Sequence, residues 1–121
     1  MYILFPHYFD RGQISDAGLE YKVGYFLDSV QIKLQEQIWR GLCFLCKKEA
    51  SVITECQDQA KNITKKFLEA LPHIQKMLFY DIDAAYEGDP AAKSADEIVL
   101  CYPGMFAITH HRIAHELYKL N

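Results

Sequence analysis

The feature that most constrains this chain is an apolar stripe in steps of three and four: Leu19, Val23, Phe26, Val30, Leu34, Ile38, Leu42 and Leu45. Such steps follow the α-helical turn and put these side chains on one face. A strand would need apolar residues at every second position, and that alternation never runs long enough in the 121 residues. One long helix is therefore expected, capped by Ser15 or Asp16 and running to about Lys47, with its striped face packed on something. Gly18, Gly24 and Gly41 interrupt it, each weakening a helix by up to about 1 kcal/mol relative to alanine. Close approach of another helix is the expected reason for them.

The remaining segments also read as helices. Ile53, Cys56, Ala60, Ile63, Phe67 and Leu71 (or Ala70) stripe a second one, about Ala50 to Leu71. Pro72 suits a first turn better than a helix interior, so a third helix is expected from about Pro72 to Tyr86, with Ile74, Met77, Leu78, Ile82 and Ala85 inward. Glu87-Gly88-Asp89-Pro90 ends it, because the residue before proline is pushed out of the α region. Ser94, with Glu97 three residues on, forms a capping box for a short helix to Cys101. Tyr102-Pro103-Gly104 reads as a turn, with Gly104 able to take a positive φ. A last helix, about Met105 to Leu120, is striped by Phe106, His110, Ile113, Leu117 and Leu120. The expected fold is all-α: a bundle of four to five helices with short turns, forming a single domain over residues 1–121.

Charge narrows the partners. The net charge is −3, and no run of lysine or arginine exceeds two residues. Neither nucleic acid nor an anionic membrane surface is an expected partner. No apolar stretch approaches the roughly 18 residues of a membrane span. The apolar start, Met1 to Pro6, lacks the charged region and cleavage site of a signal peptide, so the cytoplasm is the expected location. The four cysteines then read as reduced thiols.

Three clusters invite chemistry. Cys43 and Cys46 form a CxxC with Cys56 ten residues on, but the second pair of a structural zinc site is missing, and small apolar packers are the expectation. His111 and His115 share a helical face beside His110, yet Arg112 stands where a zinc hydrolase helix carries glutamate. No metal is expected at either place. Among the carboxylates, Asp81 falls on the apolar face of the third helix and needs a partner there, for which Arg112 is the candidate in a structural ion pair. Asp89 sits in a glycine–proline turn, where a side chain points at a ligand or caps the next helix. Spacing alone favours capping.

Taken together, Asp81 to Ala92 (DIDAAYEGDPAA), then Cys101-Tyr102-Pro103-Gly104, then Arg112-Ile113-Ala114-His115 resemble serine O-acetyltransferase. Leu4-Phe5-Pro6 and Gly41-Leu42-Cys43 resemble the N-terminal region of one bacterial branch. The resemblance is specific over Asp81 to Leu120 and loose over Met1 to Leu71. It implies the helical N-terminal domain of an acyltransferase of cysteine biosynthesis, which moves the acetyl group of acetyl-CoA to L-serine. It implies a homo-oligomer, as a trimer or a dimer of trimers, and cysteine synthase as a partner through a C-terminal tail. It also implies a serine-contacting role, and a contact to the inhibitor cysteine, for Asp89.

The family's catalytic left-handed β-helix is written in hexapeptides, for which the only candidate pair here is Val23-Gly24, inside a helical stripe. Its catalytic D-I-H-P word is absent too. No catalytic residue and no cofactor is therefore expected in this chain, acetyl-CoA being the family's co-substrate, and no acetyl transfer is expected of it unaided. The alternative is a stand-alone helical protein-interaction module with no substrate role.

Overall fold

Helices account for all the regular structure in the computed structural model, which describes residues 1–9, 15–45 and 50–120. In chain order they are α1 (Pro6–Phe9), α2 (Asp16–Leu45), α3 (Ala50–Gly88), α4 (Ala95–Cys101) and α5 (Pro103–Lys119). Among the described residues there is no strand, as the stripes require. None of these helices is long and apolar enough to cross a membrane.

α3 is the axis of the bundle. α2 packs along it, α4 and α5 also pack against it, and α1 touches α4. Its inward face is the expected stripe, with Cys56, Ala60, Ile63, Phe67, Ile74, Leu78 and Ile82 all buried. Ile98 and Val99 of α4 and Met105 of α5 close the core from one side, and Leu4 and Phe5 from another. The apolar start of the chain is thus core: Phe5 is 1% exposed and lies edge-on to Phe79 and Tyr8, each at 5.8 Å. Gln75 Nε2 donates to the Leu4 carbonyl at 2.8 Å and ties this segment to α3.

Pro72 does not divide two helices. α3 runs through it for 39 residues. A proline there removes one backbone hydrogen bond and crowds the preceding turn, at a cost of about 3 kcal/mol. Phe67 on one side and Ile74, Leu78 and Ile82 on the other lie in one buried row. Breaking the helix would take half of that row off the core, and burying each such side chain contributes about 1.5–3 kcal/mol. Continuity wins.

The caps behave more locally. Ser15 Oγ accepts from the Gly18 N–H at 3.2 Å and starts α2. Ser94 Oγ accepts from the Glu97 N–H at 3.2 Å and starts α4, while the Glu97 carboxylate accepts from the Lys93 N–H at 2.9 Å. Tyr102-Pro103-Gly104 is not a turn: Tyr102 is the N-cap of α5, with Pro103 in its first turn and Gly104 inside the helix. Proline's fixed φ suits that position.

One further expectation fails and another holds in part. A Cβ added at Gly24 or Gly41 would meet nothing within 4 Å, so neither marks a close helix approach within the chain. On α5 the expected stripe holds in part: Ile113, Leu117 and Leu120 lie half-buried against the core, but in the first turns the buried residues are Met105 and Thr109, one residue before Phe106 and His110. Phe106 and His110 lie exposed with ring centroids 4.2 Å apart, because the α5 face turned to α3 is the one that carries Arg112.

Candidate functional site

Two of the carboxylates at and just past the C-terminal end of α3, Asp81 and Asp89, stand in different electrostatic settings. Asp81 lies on the half-buried side of α3, and Arg112 reaches it from α5, 31 residues away in sequence. The pair is bidentate, with Nε to Oδ2 at 2.5 Å and Nη2 to Oδ1 at 2.6 Å. The side chains of Arg112 and Asp81 are 25% and 22% exposed. The hydrogen bond to Asp81 raises the pKa of the Arg112 guanidinium against the opposing effect of burial. The contact locks α5 to α3 and neutralises both charges.

Asp89 follows immediately on the end of α3 at Gly88. Its N–H still donates to the Ala85 carbonyl at 3.2 Å, so the turn is an extension of the helix end. Asp89 caps no helix; Ser94 does that. Instead Oδ1 accepts from the Ala91 N–H at 2.9 Å, an aspartate turn closed two residues on. Oδ2 accepts from the Tyr102 hydroxyl at 2.7 Å. Sequence reading missed Tyr102, because its link to Asp89 spans 13 residues and both a helix and a cap.

Hydrogen bonds set the protonation of this pair. The Tyr102 hydroxyl, then the Ala91 N–H, hold the Asp89 carboxyl below its ordinary 3.8. Tyr102 is pushed up to about 12, first by its bond to Asp89, then by burial and by the negative charges of Asp89 and Glu97. Folding favours the ionised Asp89, so its contribution stands above pH 3.8 and fades as pH falls through the lower folded value. Folding favours the protonated Tyr102, so its contribution is whole below 10.0 and is lost as pH rises through about 12. The urea-midpoint difference between wild type and Tyr102→Phe should thus be flat from roughly pH 5 to roughly pH 9 and shrink beyond both ends. Denaturation curves followed by circular dichroism at several pH values check it.

The other clusters hold less chemistry. Cys43 is half-buried on α2, Cys56 is buried on α3, and Cys46 lies outside the described residues. His111 and His115 are exposed, stacked at 6.0 Å and 16° between ring planes. The His110 ring nitrogen Nδ1 lies 2.8 Å from the Phe106 carbonyl. Among the described residues no three His, Cys, Asp or Glu side chains converge to hold a metal ion.

Comparison with known proteins bears on the whole of this arrangement. A family model described as "Serine acetyltransferase, N-terminal" matches residues 21–110, which include Asp81, Asp89 and Tyr102. A "Serine acetyltransferase, plasmid" of Synechococcus elongatus is 40% identical over 121 residues, covering 98% of this chain and 38% of that protein. A serine acetyltransferase of Bacillus licheniformis is 54% identical over 44 residues, 36% of this chain and 20% of its own length. That of Mycobacterium tuberculosis is 54% identical over 39 residues, 32% and 17% of the two chains. The chain thus spans well under half the length of the relatives it matches. With three quarters of its residues under the family model and its whole helical bundle aligned to one relative, the chain belongs to the serine acetyltransferase N-terminal family.

Proposed function

We propose that this chain is the assembly domain of a serine acetyltransferase, an acyltransferase of cysteine biosynthesis, and that it lends Asp89 to a site for L-serine. The observation that carries the substrate role is the Asp89 carboxylate itself. It is ionised, held at both oxygens, and set in a turn between two helices rather than engaged in a cap or, among the described residues, an ion pair. A fixed carboxylate of this kind suits the ammonium group of an amino acid, through a charge-assisted hydrogen bond. The transfer chemistry, with acetyl-CoA as co-substrate, is assigned to a catalytic half outside these residues, and the setting to the cytoplasm.

The experiment joins this chain to the remaining part of the Synechococcus elongatus relative and measures acetyl transfer to L-serine. Asp89→Asn should raise KM for L-serine about ten-fold or more, the worth of one charge-assisted bond, and leave KM for acetyl-CoA in place. An unchanged KM for L-serine would remove Asp89 from the substrate site.

The assembly role rests on α2. None of its described side chains belongs to the buried core, and Tyr21, Tyr25, Ile32 and Phe44 are 81%, 70%, 62% and 90% exposed. A helix of 30 residues with a half-covered stripe has apolar surface to spare for other copies of the chain. Light scattering over a dilution series should give a stable trimer or hexamer. A mass that stays monomeric at every concentration refutes the assembly role.

A further inference from the structure

We infer that Tyr102 is a positioning residue for Asp89: its hydroxyl orients the carboxylate at the α3–α4 turn so that the amino group of an amino-acid ligand meets a fixed acceptor. The inference rests on the substrate role proposed for Asp89.

The argument begins with the turn. Asp89 lies just past the end of α3, before a proline. The Ala91 N–H fixes one oxygen only. Tyr102 supplies the second point, at 2.7 Å to the other oxygen, and two points determine the plane of a carboxylate. Tyr102 is itself well held. Its N–H donates to the Ile98 carbonyl at the end of α4, its backbone is extended at φ −82° and ψ 117°, and Pro103 follows it. It stands at the junction of α4 and α5, both packed on α3.

The chemistry of the donor matters as much as its place. Asp81, two turns back on α3, is held by a guanidinium and its charge is cancelled. Asp89 is held by a neutral phenol and a neutral amide, so its negative charge survives for an incoming cation. Each carboxylate oxygen has a second acceptor position after one hydrogen bond, and an ammonium brings three donors. A lysine or arginine at position 102 would orient the carboxylate equally well and remove the charge that binds.

The test uses two proteins. In the 121-residue chain, which has its own core, the Asp89 carboxyl carbon is titrated by NMR in wild type and in Tyr102→Phe. In the joined enzyme, KM and kcat for L-serine are measured for Tyr102→Phe, Asp89→Asn and the double variant. We expect the Asp89 midpoint to rise in Tyr102→Phe, KM for L-serine to rise several-fold with kcat within about two-fold, and the double variant to match Asp89→Asn alone, the non-additivity of two groups acting as one. An unmoved Asp89 midpoint overturns the inference. So does a Tyr102→Phe enzyme with normal KM beside an impaired Asp89→Asn, or a Tyr102→Phe effect that persists undiminished on the Asp89→Asn background. If Asp89→Asn itself leaves KM unmoved, the substrate role falls and takes this inference with it.

Discussion

Leu78→Ala should destabilise the chain by about 3–4 kcal/mol, a loss typical of a fully buried leucine on a core helix. Leu78 is 0% exposed and lies midway along the row from Phe67 to Ile82. It sits in the one cluster that joins α3 to the N-terminal segment, to α4 and to α5. Removing its isobutyl group loses the transfer free energy and leaves a cavity in the cluster that also holds Phe5, Ile74, Ile98 and Met105, helix-borne for the most part and slow to collapse. A domain of this size has only about 5–15 kcal/mol in hand, so the urea midpoint should fall by a large fraction. Leu34→Ala, on the half-buried stripe of α2, is the control and should cost clearly less. Equal losses at the two positions would mean that α2 and α3 share the core evenly, against the burial pattern.

That contrast also separates what could be read from the sequence from what could not. Stripes were legible, because a helical period is a local property: from Leu19 to Leu42 on α2 and from Cys56 to Ala85 on α3 the stripes lie where the spacing puts them, while the side chains of Leu45 and Ile53 fall outside the described ones. Ser15 and Ser94 were legible for the same reason, a cap being satisfied within three residues. Pro72 was not, since its rule weighs one lost hydrogen bond and the answer lay in the burial of Ile74, Leu78 and Ile82 beyond it. Gly24 and Gly41 suggested close packing that α3 does not supply. On α5, Ile113, Leu117 and Leu120 lie against the core as expected, but Phe106 and His110 do not, because Phe106 looks inward by hydropathy while the partner that fixes the face is polar, Asp81. Around Asp89 the turn was legible and its holder was not: Tyr102 becomes visible only when α4 folds back and brings the two together.

Asp81 and Arg112 provide the second large effect, and the physics that sets its size is burial. Exposed ion pairs are worth about 0–1 kcal/mol, since water screens them and holding two long side chains costs entropy. Fully buried pairs lose about 3–5 kcal/mol when one partner is removed, because the other charge is stranded. Asp81 and Arg112 are about three-quarters buried, bidentate, and join helices 31 residues apart. Arg112→Ala should therefore cost about 2–3 kcal/mol, between the two limits and nearer the buried one. The chain carries its own reference in Glu36–Arg40, a pair of the same 2.6 Å length on α2 with side chains 47% and 63% exposed. Arg40→Ala should cost about 0.3–0.5 kcal/mol. Salt separates them further. Raising ionic strength toward 1 M, where the screening length is about 3 Å, should erase the Arg40 effect and leave most of the Arg112 effect standing. A double-mutant cycle over Asp81 and Arg112 completes the case: coupling of about 1–2 kcal/mol means the two act on each other, while additive losses would mean that Arg112 stabilises α5 by packing its aliphatic stem alone.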